Sequence, residues 1–272
     1  MYDKLDKDLI AQPELWRMAM LITPQSLEIA LYPPVENEEA LFRSFDYNPE
    51  APSQLKAIED IIYSNPLLLC DFKAITALID CDCAMMMPEE VPQESRFTLL
   101  EKAALLPVED SMAISTPASK GAIMVSAPDK ELCDFLKRTF FNITFAHPLG
   151  LTTRYLSQQD SGIRSYLTLH RRRMSLINLN GEELLSANTF SYTEPMDAVY
   201  YALASRRISD IDAEGIALYY AGAQQNCDTI IPILRSYIAP IARTESPTLP
   251  YKTTKDTFDA PYILNILPLL CE

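Results

Sequence analysis

Residues 17–32 read RMAMLITPQSLEIALY, and residues 167–180 read LTLHRRRMSLINLN. Each is a pair of apolar runs about a short polar turn, the pattern of a β-hairpin. In the first, Met18–Ile22 and Leu27–Tyr32 flank Thr23-Pro24-Gln25-Ser26. In the second, the strands Tyr166–His170 and Met174–Leu179 flank the basic turn Arg171–Arg173. A third strand is expected after each pair, at Ala40–Tyr47 and, beyond the tight-turn signal Asn180–Gly181, at Glu183–Tyr192. The chain therefore opens twice with the same three-strand meander, alike in pattern rather than in identity.

The segments after the two meanders are also alike. Pro52 and Ser53 precede Leu55, Ile58, Ile61 and Ile62, which are spaced for one face of a helix. Ala74–Met87 begins as a strand, and Ala122–Ala127 is a short apolar run that reads as another. Pro128 and Asp129 open a helix over Lys130–Phe141, and Ile143–Ala146 reads as a strand. In the second half, Glu194–Asp197 open a helix that runs to about Ser205. A strand at Glu214–Tyr220, a polar turn at Ala221–Cys227 and a helix at Asp228–Ala239 come next, and the Pro-bearing apolar stretch Ala260–Cys271 closes the chain. Residues 88–118, rich in proline and acids, read as irregular chain or short helices. The expected division is a polar leader over 1–15 and two subdomains over 16–160 and 161–272.

Composition sets further bounds. The chain has 272 residues, 48% hydrophobic and 22% charged, which excludes a disordered or fibrous protein. Its formal charge of −14 disfavours a nucleic-acid partner, because duplex binders carry a basic footprint. Glycine is scarce: 6 residues, against the roughly 19 of average usage. Glycine-rich phosphate cradles are correspondingly few. The acidic N-terminus has no signal-peptide core, and no run approaches the roughly 18 apolar residues of a membrane helix. A cytoplasmic protein is expected. Cys70, Cys81, Cys83, Cys133, Cys227 and Cys271 form no CxxC pair, and there are two histidines, so reduced thiols and no metal site are expected.

This order of elements, given twice, resembles the duplicated ribonuclease H-like fold of the actin-like ATPase superfamily: α/β, two subdomains, each a mixed sheet flanked by helices. Within it the chain looks most like a bacterial domain-of-unknown-function family, and more distantly like actin-like components of pilus assembly and cell division. The resemblance covers residues 15–272 and includes Ala74–Pro88 with its acidic linker and the closing segment ending at Cys271–Glu272. It implies a nucleotide site between the subdomains. There, each first hairpin turn would carry an Asp-x-Gly-like phosphate loop, and a later Gly-Gly turn would receive adenosine. The first turn here has neither Asp nor Gly, and Pro24 removes a backbone donor. In the second, His170 stands where Asp would. The adenosine turn, Ala221-Gly222-Ala223-Gln224, keeps one glycine. The candidate ligand-binding residues are thus Thr23, Ser26, His170, Arg171, Arg172, Arg173, Gly222 and Gln224, with no catalytic residue among them. No cofactor is expected, and ATP with magnesium is disfavoured.

Other clusters have competing readings. Arg171–Arg173 is either an anion site, since guanidinium forks match phosphate, or an exposed hairpin tip, or a set of partners for acids of another protein or of this one. Asp80-Cys81-Asp82-Cys83 resembles a metal or redox site. Read as a half-buried strand, however, it sends Asp and Cys to opposite faces. His147, in Ala-His-Pro-Leu-Gly, is a base or, more simply, a satisfied turn histidine. Met85–Met87 is an adaptable surface or core filling, and the doublets Tyr200–Tyr201 and Tyr219–Tyr220 are interface or buried structure. Glu36, Glu38, Glu39, Glu89, Glu90 and Glu94 read as solvated loops.

Three functions are compatible with these readings. One is a nucleotide-independent actin-like pseudo-ATPase that acts through protein contacts. The second is a scaffold or assembly subunit with a protein partner or with itself. The third is an atypical nucleotide-binding or phosphotransfer enzyme of the actin-like and sugar-kinase superfamily, with Arg171–Arg173 as phosphate clamp and Gly222 and Gln224 lining the base.

Overall fold

A computed structural model of the chain describes residues 5–36, 38–104, 108–159, 161–211, 215–245, 247–252 and 260–270. Strands β1 (Arg17–Ile22), β2 (Ser26–Tyr32) and β3 (Leu41–Asp46) form the first meander. Helix α1 (Gln54–Ser64) leads to β4 (Ala74–Ile79), which lies parallel to β1 with Ile22 opposite Ile79. After a small inserted unit come α3 (Lys130–Thr139), β8 (Ile143–Ala146) and α4 (Pro148–Ser157). The sheet order is β3-β2-β1-β4-β8.

The second half repeats this plan. It comprises β9 (Ile163–His170), β10 (Arg173–Asn180), β11 (Glu183–Ser191), α5 (Pro195–Ile208), β12 (Leu218–Gly222), α6 (Gln224–Leu234) and β13 (Ile241–Arg243). Its order, β11-β10-β9-β12-β13, is that of the first sheet. A short helix, α7 (Tyr262–Ile266), comes after them.

The strand sequences explain the layering. Along β1, Met18, Met20 and Ile22 face one apolar cluster with α1 and α3, while Ala19 and Leu21 face another with α4 and α7. Both faces are covered, so the strand is a continuous apolar run rather than an alternating one. Along β10, Met174 and Leu176 join α5 and α6, whereas Ile177 and Leu179 turn into the α4–α7 cluster. Helices α4 and α7 are therefore packed between the two sheets, and Tyr32 of the first half donates a 2.6 Å hydrogen bond to the Leu264 carbonyl.

Helix starts obey local capping chemistry. Ser53 accepts from the Lys56 amide at 3.1 Å, Asp129 from the Leu132 amide at 2.7 Å, and Asp197 from the Glu194 amide at 2.9 Å.

Several expectations need correction. Asp80–Cys83 is not a strand: β4 ends with its last rung to β1, and the chain leaves the sheet. The second part of Ala74–Met87 is β5 (Ala84–Pro88), the outer strand of a separate three-stranded sheet with β6 (Ile114–Pro117) and β7 (Ala122–Ser126). Residues 88–118 contain a twelve-residue helix, α2 (Gln93–Ala104), which occupies a proline-free window after Pro92. His147 does not sit in a simple turn but caps α4. The polar turn at Ala221–Cys227 is the end of β12 and the first turn of α6. From the leader, Leu5 is buried and exchanges hydrogen bonds with Asn65 and Leu67. Met1–Lys4, Glu214, Cys271 and Glu272 lie outside the described residues.

Candidate functional site

The two hairpin turns face each other across the seam between the halves. In the first, the Thr23 hydroxyl accepts from the amides of Gln25 and Ser26 at 3.2 and 3.0 Å, closing its own turn. The Ser26 hydroxyl donates to Glu28 at 2.8 Å. Both residues are buried.

In the second turn Arg171 takes a left-handed backbone, φ 52°, unusual for a side chain of its size. Its carbonyl is held by the Tyr192 hydroxyl at 2.6 Å and the Asn226 side-chain amide at 2.8 Å. Its guanidinium crosses to the first half, donating to Glu28 at 3.2 Å, to Ser44 at 2.6 Å and to Asp46. His170 reaches the same Glu28 oxygen at 3.1 Å. Arg173 clamps Asp80 through two bonds of 2.6 and 2.8 Å and binds Asp82 at 2.7 Å. Arg172 is exposed at the tip. Arg171 and Arg173 are thus paired with this protein's own acids.

Glu28 is the hub. Burial alone would push its carboxyl up, but the hydrogen bond and charge of His170, with Ser44 and Ser26, outweigh that and hold it below its ordinary value. For Arg173 burial works against the charged form, and Asp80 and Asp82 reverse the balance and strengthen its hold on the proton. Nothing in the pattern of SLEIALY assigned Glu28 a role, although a lone carboxylate inside an apolar strand is a visible anomaly.

Gly222 and Gln224 lie elsewhere on the seam. A Cβ at Gly222, where φ is 138°, would stand 2.0 Å from the Leu169 carbonyl oxygen, so glycine is required by the close approach of β12 to β9. Gln224 bonds Arg243 at 2.7 Å and Asp228 at 2.6 Å.

Space between the turns is small. A void of about 60 Å³ adjoins Thr23, Asp80, His170, Arg171 and Arg173. Small-molecule pockets run to roughly 300–1,000 Å³. Beside it, a cavity of about 460 Å³ is lined by Glu28, Arg43, His170, Arg171 and Asn226. Among the described residues, no group of three or more His, Cys, Asp or Glu side chains is arranged to hold a metal.

Residues 6–241 match a family described as "Protein of unknown function (DUF3822)". The chain belongs to this family. No curated protein sequence matches it. Among solved structures, this DUF3822 chain is similar to a Bacteroides thetaiotaomicron protein with actin-like ATPase fold and unknown function. The TM-score is 0.79 at 15% identity, over 96% of this chain and 98% of that one. A PilM–PilN type IV pilus biogenesis complex gives 0.56 at 11%, over 94% and 98%. The cytoplasmic domain of EpsL, an inner membrane component of the Vibrio cholerae type II secretion system, gives 0.51 at 11%, over 93% of each chain. The DUF3822 chain has the actin-like ATPase fold. Among its described residues, no helix is long and apolar enough to cross a membrane.

Proposed function

We propose that this DUF3822 protein is a non-catalytic, actin-like interaction protein whose ancestral nucleotide seam is closed by its own side chains. One observation carries the reading: the basic groups of the second hairpin turn that face the seam are paired across it, Arg171 and His170 with Glu28 and Arg173 with Asp80 and Asp82. A phosphate entering there would meet four carboxylates, Glu28, Asp46, Asp80 and Asp82, and would have to displace each ion pair. The glycine that remains, Gly222, answers to strand packing rather than to a ligand. The PilM–PilN complex supports a protein partner by analogy of fold alone.

A second reading is kept by the 460 Å³ cavity: an atypical nucleotide-binding or phosphotransfer enzyme that uses this space beside Asn226. Thermal unfolding with and without millimolar Mg-ATP, Mg-GTP and metal-free nucleotide separates the two. Ligand at 100 times its dissociation constant adds about 2.7 kcal/mol, a rise of several degrees. The expected result is no shift with any nucleotide. A reproducible rise overturns the closed seam and supports the second reading, which Mg-ATP turnover then separates from binding alone.

A further inference from the structure

Helix α5 is built inside out. Its sequence PMDAVYYALASRRI turns Ser205 and Arg206 into the protein. There Ser205 Oγ accepts from the Asn178 side-chain amide at 3.0 Å, and Arg206 donates to Ser165 Oγ at 2.9 Å and to the Ile216 carbonyl at 3.1 Å. The opposite side carries Met196, Tyr200 and Ile208, which are 52%, 66% and 84% exposed. A surface helix ordinarily shows polar residues to water and apolar ones to the core. With the partly exposed Ala204, these residues recur every four positions and form one ridge, about 18 Å long at 1.5 Å per residue.

An aromatic flank orders this ridge. Tyr200 meets Tyr201 edge to face, ring centroids 5.6 Å apart, and Tyr201 stacks on Phe190 of β11 at 4.5 Å. The Tyr200–Tyr201 doublet thus divides its work. Tyr201 joins the apolar cluster of the second half, and Tyr200 stays outside it. Aromatic side chains give large contact area at a low cost in conformational entropy, which makes them common anchors of interfaces. Contiguous exposed apolar patches mark places where another molecule docks.

The ridge is its own complement. Its positions are symmetric about Ala202: Tyr200 and Ala204 lie two residues to either side, Asp197 and Arg207 five, and Met196 and Ile208 six. A two-fold axis through the middle of the face runs two copies of the helix antiparallel and sets each residue against its counterpart in the other copy. The Tyr200 ring then enters the notch over the Ala204 methyl, Met196 meets Ile208, and the ridge of one copy fills the groove of the other. The same operation brings Asp197 toward Arg207 twice. Arg207 is exposed, and the Glu194 and Thr193 amides that Asp197 caps hold its carboxyl below the ordinary range, so both groups are charged. Such opposite pairs matter on a chain of net charge −14, whose copies otherwise repel each other.

We propose that α5 is the interface of a symmetric homodimer, packed antiparallel through Met196, Tyr200, Ala204 and Ile208 and keyed by Asp197–Arg207 pairs between the copies. This deepens the interaction reading above by naming a face and a partner, a second copy of the chain. It makes no use of the closed seam, since a chain that bound nucleotide would carry the same ridge. One helix of 14 residues per copy is a small interface, so the dimer is expected to be reversible, with a dissociation constant on the order of 10–100 µM.

Sedimentation equilibrium of the full chain from about 1 µM to about 1 mM tests it, and a monomer–dimer equilibrium is expected. Arg207→Glu sets like charges against Asp197 and is expected to weaken the dimer about tenfold or more. Tyr200→Glu, which removes the anchor, and Ala204→Lys, which fills the notch, are each expected to do the same. All three positions lie on the outer side of α5, so the variants are expected to keep the monomer's thermal midpoint within about 3 °C. Mixing Tyr200→Glu with Ala204→Lys is the decisive arm. In the mixed dimer the new glutamate faces the new lysine, while the other Tyr200–Ala204 contact is intact, so association is expected to return. A wild-type chain that is monomeric up to about 1 mM overturns the proposal and leaves the face to a different partner. A dimer that survives all three single variants overturns it too, as does a mixture that associates no better than its components. None of these readouts moves with nucleotide, so a failed dimer and an opened seam are told apart by the unfolding experiment above.

Discussion

Arg173 grips Asp80 with two parallel hydrogen bonds, Nε to Oδ2 at 2.6 Å and Nη2 to Oδ1 at 2.8 Å. The pair joins the first residue of β10 to the residue just beyond β4, so it ties one half of the molecule to the other. Both side chains are buried, 8% and 10% exposed. Removing one partner of such a pair leaves an uncompensated charge and costs about 3–5 kcal/mol, whereas removing both is often close to neutral. Arg173→Met is expected to show that loss by urea denaturation, and Arg173→Met with Asp80→Leu to regain most of it. A single variant within about 1 kcal/mol of wild type would refute the pair's role as a fastening between the halves.

Glu28 makes acid stability a direct reading of the seam. Folding holds its carboxyl below 4.5, its ordinary value, with burial opposing and His170, Ser44 and Ser26 prevailing. A lowered folded value means that its contribution is fully present above the unfolded value and is lost as pH falls through the folded one. Glu28→Gln should therefore be less stable than wild type near pH 6, by about 2 kcal/mol for the lost charge-assisted bonds. The gap should close as pH falls below the ordinary carboxylate value. Parallel denaturation curves across this range check it, and a gap that is constant with pH would exclude Glu28 as the titrating hub.

Gly222 is expected to tolerate no side chain. The carbonyl that a new methyl would strike belongs to the backbone of Leu169, in the middle of the second sheet, and cannot swing aside. Gly222→Ala should cost more than about 3 kcal/mol, among the large effects of point substitution. The decisive comparison is with Gly181→Ala, at a turn where a Cβ meets nothing within 4 Å and the cost is that of positive φ alone. That second change should cost about 1 kcal/mol. Equal losses would contradict the packing explanation.

The leader carries an anchor. Leu5 is 1% exposed, its amide donates to Asn65 at 3.0 Å and its carbonyl accepts from Leu67. Leu5→Ala should destabilise by about 2–4 kcal/mol through the cavity it leaves. A thermal midpoint within about 2 °C of wild type, roughly what 1 kcal/mol produces in a chain of this size, would show that the segment is dispensable.

Much of the fold was legible because it rests on short-range chemistry. The runs about Thr23–Ser26 and Arg171–Arg173 are strands by length, residue type and turn, and their repetition exposes the duplicated actin-like plan. Ser53, Asp129 and the Glu194–Asp197 box announce helices by capping alone. The inserted unit was less legible. Its helix α2 has a weak apolar stripe with one fully buried residue, Leu100, and β5 continues a run that looks like one strand with β4.

The sequence by itself determined the two meanders, the order of elements and the absence of Asp and Gly from both hairpin turns, because each is written in residues a few positions apart. Only the tertiary structure decided what Arg171 and Arg173 meet. Glu28, Asp46, Asp80 and Asp82 lie between 91 and 143 residues from the arginine each one meets. No local pattern records such a distance. A charge on a strand reads as solvated or as waiting for a ligand until packing of the second sheet against the first brings its counter-charge within hydrogen-bond reach.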